Sequence, residues 1–205
     1  MLRTKIPIHF CAAVCIVIAA LCSAAHAQSN AFINAPLCRQ AKSFTCGVGA
    51  MQSVLCYYGL EVRQDILAKK LHTTPNGTQF TRMIQYAQSQ GFSADWKTNM
   101  SLAELQQRMD DGKPTILAIQ AWADNPPVNY SNDWKDGHYV VAIGYDITNM
   151  YFMDPSTLGN FTYIPTPEFL NRWHDSNRRK PLPQFGLTIS KGAPAYDPTR
   201  ILRMD

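Results

Sequence analysis

The sequence predicts an α+β domain, with a helical half followed by a half built on an antiparallel β-sheet. Three observations carry that expectation. Between Thr45 and Gly112 apolar residues recur at helical spacing. From Thr115 onward they come in short β-branched and aromatic runs separated by turn formers. The length of 205 residues has room for one ordinary domain. The chain is 46% hydrophobic and 17% charged, a globular rather than a disordered profile.

In chain order, residues 1–27 have the layout of a secretory signal. Arg3 and Lys5 form a positive start, 6–21 an apolar centre, and Ala25-His26-Ala27 a small-x-small cleavage site. The mature protein, 28–205, is expected to be a single exported domain, periplasmic or extracellular, with no membrane contact after signal removal. The formal charge of +4 includes Arg3 and Lys5. Without them the balance is near neutral, and nothing in it favours nucleic acid or an anionic membrane surface, so no nucleic-acid partner is expected. The length also excludes a fused ATPase or a multi-pass transporter.

A helix buried on several sides is expected from Cys46 to Tyr58, with Thr45 as N-cap and Gly59 as its stop. Val62, Ile66, Leu67 and Leu71 mark a second helix. Phe80, Met83, Ile84 and Ala87 mark a third, ended by Gly91. Ser101 with Glu104 makes a capping box for a fourth, closed at Gly112. Strands are expected over 115–121, 139–145, 151–153, 160–164 and 185–189. A short helix over 167–173 interrupts them, with Thr166 as cap and Pro167 in its first turn. Arg178-Arg179-Lys180 reads as a solvated loop, and His174 as a residue near a helix end.

Cysteine chemistry is the first functional candidate. Cys38, Cys46 and Cys56 remain after signal removal, an odd number for an exported chain. Two could pair, Cys38 with Cys56, and leave one reactive thiol. Cys46 opens the buried helix, where unpaired N–H groups and the helix dipole favour a thiolate. Gln40 lies six residues earlier, where its amide could donate to an oxyanion. A hairpin centred on Asp146 would pair residues whose numbers sum to 292, which sets His138 opposite Asp154. A carboxylate beside an imidazole fixes its tautomer and stabilises its charged form. No His/Cys cluster has metal-ligand spacing, so neither metal nor cofactor is expected.

These residues resemble the papain-like superfamily, and within it the bacteriocin-processing, double-glycine-leader type of cysteine peptidase, cysteine peptidase family 39. The resemblance lies in Gln40-Ala41-Lys42-Ser43-Phe44-Thr45-Cys46-Gly47, in Gly137-His138-Tyr139-Val140-Val141-Ala142-Ile143-Gly144-Tyr145-Asp146 and in Asp154-Pro155. It spans roughly 37–189. It implies a papain-like fold and a peptide or protein substrate. Cys46 would be the nucleophile, His138 the base, Asp154 its orienting partner and Gln40 the oxyanion donor. The best-known members are cytoplasmic domains fused to ABC exporters, and this chain looks more like the stand-alone secreted relatives. The same constellation fits an acyltransferase of the phytochelatin-synthase type, and an inert peptide-binding module is the non-enzymatic alternative.

The loop 122–137 runs into His138 and is long enough to cover a substrate. Trp122, Asp124, Trp134 and Asp136 are therefore expected to bind substrate, the aromatics by narrowing the cleft toward small residues such as Gly or Ala. The acidic side chains should favour basic or neutral peptides.

Overall fold

The computed structural model describes residues 32–204; the expected signal segment and its cleavage site lie outside them. The small and apolar run after Thr45 forms α1 (Cys46–Tyr57), followed by α2 (Gln64–Lys70) and α3 (Phe80–Ser89). Then come β1 (Ser93–Lys97), α4 (Leu102–Asp110), β2 (Thr115–Gln120), β3 (Gly137–Tyr145), β4 (Asn149–Met153) and β5 (Thr162–Pro165). The chain continues through α5 (Thr166–Arg172), β6 (His174–Asn177), β7 (Lys180–Pro183) and β8 (Gly186–Ser190). Six strands make one antiparallel sheet in the order β1-β8-β2-β3-β4-β5, and β6 and β7 form a separate hairpin. No helix among the described residues is long and apolar enough to cross a membrane.

Val48, Ala50, Met51, Val54 and Leu55 are fully buried, and α1 packs against β3. This central helix is crowded. At Gly49 a Cβ would meet Cys38 O and Pro155 Cβ at 3.0 Å. The glycine lets the loop after β4 lie directly on α1, and that loop carries Asp154. Gly59 takes φ +85 and ends the helix as its sequence position implies. The Ser101–Glu104 capping box is complete, with both reciprocal hydrogen bonds formed.

Several expectations need correction. Thr45 occupies the N-cap position without capping, because its hydroxyl accepts from Lys42 N and donates to Lys42 O, both at 3.0 Å. At α5 the N-cap position is Pro165 rather than Thr166, and Pro167 does lie in the first turn. Ile66 is exposed, and α2 meets the core through the fully buried Leu67 with the partly buried Ala68 beside it. The solvated stretch at Arg178 and Arg179 is the turn of the β6–β7 hairpin, with φ of 49° and 67°. His174 is a strand residue of that hairpin.

The β3–β4 register also differs from expectation. Partner numbers sum to 295 at Tyr145↔Met150 and Gly144↔Tyr151, then to 294 at Ala142↔Phe152 and Val141↔Met153, with an irregularity between Ala142 and Gly144. Two local causes set this. Asp146 Oδ1 accepts from Thr148 N and Asn149 N, both at 2.7 Å, which centres the turn beyond Asp146. The bulge at Ile143 then removes one step. By this register Asp154 continues toward Val140, and His138 is its diagonal neighbour on the same face, still within reach.

Candidate active site

Cys46 is the first residue of α1, His138 the second of β3, and Asp154 follows the last residue of β4. Between β2 and β4, β3 is pinned at the centre of the sheet, with Ile119 paired to His138. His138 is 6% exposed and Asp154 5%, so their contact is shielded from water. His138 Nε2 lies 2.7 Å from Asp154 Oδ1. That leaves Nδ1 for Cys46, to which the imidazole is also hydrogen-bonded.

The electrostatics separate the three described cysteines. Burial pushes the Cys46 thiol up, but the hydrogen bond and charge of His138 and the N–H groups of Tyr139 and Gly47 outweigh it, and its pKa ends below the ordinary value. Thr45 spends its hydroxyl on Lys42, and in the first turn of α1 it is the Gly47 N–H that reaches the sulfur. Burial pushes Cys38 up to about 12, with Cys56 adding to the shift. Cys56 is also raised, by burial and then by Glu61. Cys38 and Cys56 are free thiols, not the disulfide considered above, and they line one shallow cleft. Only Cys46 has the environment of a nucleophile.

His138 changes in the opposite sense. Burial lowers its pKa, while hydrogen bonds and charge from Asp154 and Cys46 raise it further, to about 9 overall. A thiol moved down and an imidazole moved up describe a thiolate–imidazolium pair at neutral pH. Asp154 is held ionised. Burial raises it, but His138, the Ser156 N–H at 2.8 Å and the Trp122 indole N–H at 2.9 Å bring it below its usual value.

Gln40 lies against the same loop. Its N–H donates to Pro155 O at 2.9 Å, and its Oε1 accepts from Ser156 Oγ at 3.4 Å. Its amide nitrogen donates to Lys42 O at 2.9 Å and Ser43 O at 3.0 Å. The amide therefore turns toward the peptide bonds just before Cys46, and one hydrogen must leave a carbonyl before it can serve an oxyanion.

Of the four loop residues expected to bind substrate, only Trp122 reaches Asp154. Its indole holds Asp154 Oδ2, and its ring lines the cavity beside that carboxylate. Trp134 instead packs against His174, with ring centroids 4.6 Å apart and the planes tilted by 47°. Asp124 is exposed. Asp136 is half-buried at the base of the loop, and its carboxyl is raised by burial and then by Asp133 and Asp124. These three do not line the cavity.

Residues outside the motif complete the support. Gln120, fully buried, accepts from Asp136 N and donates to His174 O, both at 3.0 Å. It thus clamps the loop end to β6, immediately before His138. Asp175 is pressed against Gly137, where a Cβ would come 2.5 Å from its Oδ1. Burial raises Asp175 to about 6. The one available signal was a glutamine ending an otherwise apolar strand. Gly137→Ala is expected to lower stability by about 1–3 kcal/mol through overpacking, measured by urea denaturation.

The Peptidase_C39 like family model matches residues 32–181. No curated protein matches the chain. Among solved structures, a Bacillus anthracis protein assigned as a C39-like peptidase superposes with TM-score 0.60 at 19% identity, over 78% of this chain and 96% of its own. The peptidase domain of Streptococcus ComA, a bi-functional ABC transporter involved in quorum sensing, gives TM-score 0.58 at 18% identity, over 75% and 96%. A double-glycine-motif protease from an AMS/PCAT transporter, solved with its leader peptide, gives 0.55 at 18%, over 77% and 92%. The mixed helix and antiparallel sheet fold is that of these papain-like peptidase domains.

Proposed function

This chain belongs to the Peptidase_C39 like family, and we propose that it is an exported cysteine peptidase that cleaves peptide bonds after small residues such as Gly or Ala. One observation supports this reading above the others. The only described cysteine with a lowered pKa is hydrogen-bonded to a histidine that is itself held by a buried carboxylate.

The chemistry follows from that arrangement. Cys46 thiolate attacks the scissile carbonyl carbon, an S–C bond forms, and the carbonyl electrons move onto oxygen. The Cys46 N–H and a Gln40 amide hydrogen released from Lys42 or Ser43 receive that oxyanion. As the oxyanion collapses, the C–N bond breaks and the leaving amine takes the proton from His138 Nδ1. A thioester remains. Neutral His138 then accepts a proton from water, hydroxide adds to the thioester, and C–S cleavage returns the thiolate beside the imidazolium. Asp154 keeps the imidazole aligned throughout and stabilises its cationic state. The double-glycine-motif relative solved with a leader peptide supports a peptide as the substrate class, and the signal-like segment 1–27 supports export.

Hydrolysis of a fluorogenic peptide amide ending in Gly-Gly tests the reading. Its kcat/KM should form a bell against pH. The acid limb, set by Cys46, should fall below the ordinary thiol pKa, and the alkaline limb, set by His138, should fall near 9. Activity is lost above that limb because the imidazolium can no longer supply a proton. A profile that rises steadily with pH through 9 would contradict the ion pair. N-terminal sequencing of exported material should begin at Gln28.

A further inference from the structure

A closed circuit of hydrogen bonds surrounds the nucleophile. Cys46 is hydrogen-bonded to His138, and His138 Nε2 meets Asp154 Oδ1 at 2.7 Å. The same carboxylate oxygen accepts from Ser156 N at 2.8 Å. Ser156 Oγ donates to Gln40 Oε1 at 3.4 Å, and Gln40 Nε2 donates to Lys42 O and Ser43 O, just before Cys46. Ser156 thus joins the orienting carboxylate to the oxyanion donor. Its position is fixed by its neighbours. Pro155 is buried against Gly49 of α1, and its carbonyl holds Gln40 N at 2.9 Å. On the other side the Thr157 N–H closes a turn on Asp154 O at 3.2 Å. Ser156 is half-buried between these anchors.

The amide makes such a link useful. Gln40 can serve an oxyanion only with its nitrogen toward Cys46, because the reversed amide would set an oxygen lone pair against the negative charge. Before reaction three hydrogen bonds hold that orientation, two made by Nε2 and one received by Oε1. Serving the oxyanion takes one hydrogen away from Lys42 O or Ser43 O. One carbonyl and the Ser156 hydroxyl then remain. Without the hydroxyl a single bond would hold the amide, and rotation about its last side-chain bond is only weakly restricted. Among the described residues, Ser156 supplies the donor to Gln40 Oε1. At 3.4 Å this bond is long for a hydroxyl donor. Catalytic hydrogen bonds are often long without substrate and tighten in the reacting complex.

We infer that Ser156 is a positioning residue for the peptidase reaction: its hydroxyl keeps the Gln40 amide nitrogen toward Cys46 while that nitrogen passes a hydrogen bond from a Lys42 or Ser43 carbonyl to the oxyanion. The inference rests on the peptidase reading and adds a residue to it. The effect falls on the tetrahedral intermediate and not on the bound peptide. It also leaves the charge of His138 alone, because Ser156 holds Asp154 through its backbone N–H, which an alanine or threonine retains.

Steady-state kinetics of the full chain on a Gly-Gly peptide amide test the inference. Ser156→Ala should lower kcat about five- to tenfold with KM unchanged within about twofold. Ser156→Thr, which keeps the hydroxyl, should return kcat to within about threefold of wild type. Gln40→Ala should lose about 10²-fold, and adding Ser156→Ala to it should cost nothing further, because Ser156 acts through that amide. The alkaline limb of the pH profile should stay near 9 in Ser156→Ala, whereas a displaced Asp154 would lower it. Wild-type kcat in Ser156→Ala or in Gln40→Ala would overturn the inference. So would a full further loss in the double variant, a displaced alkaline limb, or a threonine variant no better than alanine. Each of these results leaves the peptidase reading standing. Failure of the wild-type protein to cleave the substrate would overturn the peptidase reading and the inference with it.

Discussion

Cys46→Ala is expected to lower kcat/KM on a Gly-Gly peptide amide by at least about 10⁴-fold, since the nucleophile has no substitute in the site. Cys38 and Cys56 cannot replace it. Burial holds the Cys38 thiol at about 12 and raises Cys56, and both lie in a separate cleft. Cys38→Ser and Cys56→Ser should each keep activity within about threefold of wild type. His138→Ala should be nearly as damaging as Cys46→Ala, and the double variant little worse than either, because thiolate and imidazolium act as one unit. Steady-state kinetics on wild type and these five variants, with circular dichroism to verify folding, would check this. Additive losses in the double variant would show that the two residues do not share a step.

Asp154→Asn is expected to reduce kcat/KM by on the order of 10²-fold and to move the alkaline limb below about 9. The sign follows from the charges. His138 is raised partly by the Asp154 carboxylate, so a neutral amide stabilises the imidazolium less and its pKa falls. The loss should be incomplete because an amide oxygen can still accept from His138 Nε2. The hydrogen-bond inventory adds a second cost. Asp154 Oδ1 receives His138 and the Ser156 N–H, and Oδ2 receives the Trp122 indole. An amide has one oxygen, so an NH₂ group must face one of these donors. With the oxygen on the His138 side, Trp122 loses its acceptor. A pH–rate profile of the variant would decide the matter, and an unmoved alkaline limb would count against Asp154 as the orienting carboxylate.

The parts of the fold written in local chemistry were legible in the sequence. The capping box at Ser101, the glycine stops at Gly59, Gly91 and Gly112, and the apolar run of α1 all depend on neighbours along the chain. The strands that escaped notice depend on partners far away. Ser-Ala-Asp-Trp-Lys of β1 is mostly polar because it is an edge strand, and its pairing with β8 is invisible locally. His-Asp-Ser-Asn of β6 has no β-branched residue, and it is placed by contacts with Gln120 and the 122–137 loop. The meeting of His138 and Asp154 was anticipated, but through a register that the bulge at Ile143 and the turn after Asp146 changed. It survives because the diagonal neighbour on the same face is also within reach. Trp122 was expected to bind substrate, and its bond to Asp154 could not be read from a loop that also sends Trp134 to His174.

The thiolate–imidazolium pair is the central claim, and the alkylation rate of Cys46 against pH measures it directly. Wild-type protein would be treated with limiting iodoacetamide from pH 4 to 10, with the modified residue located by mass spectrometry. Cys46 should react at near its maximal rate by pH 7, while Cys38 stays unmodified until far higher pH. In His138→Ala the Cys46 rate should shift to a transition near or above the ordinary thiol value of about 8.5, because burial then acts without its opposing charge. A Cys46 rate that rises only above pH 8 in wild type, and is the same in His138→Ala, would contradict the account.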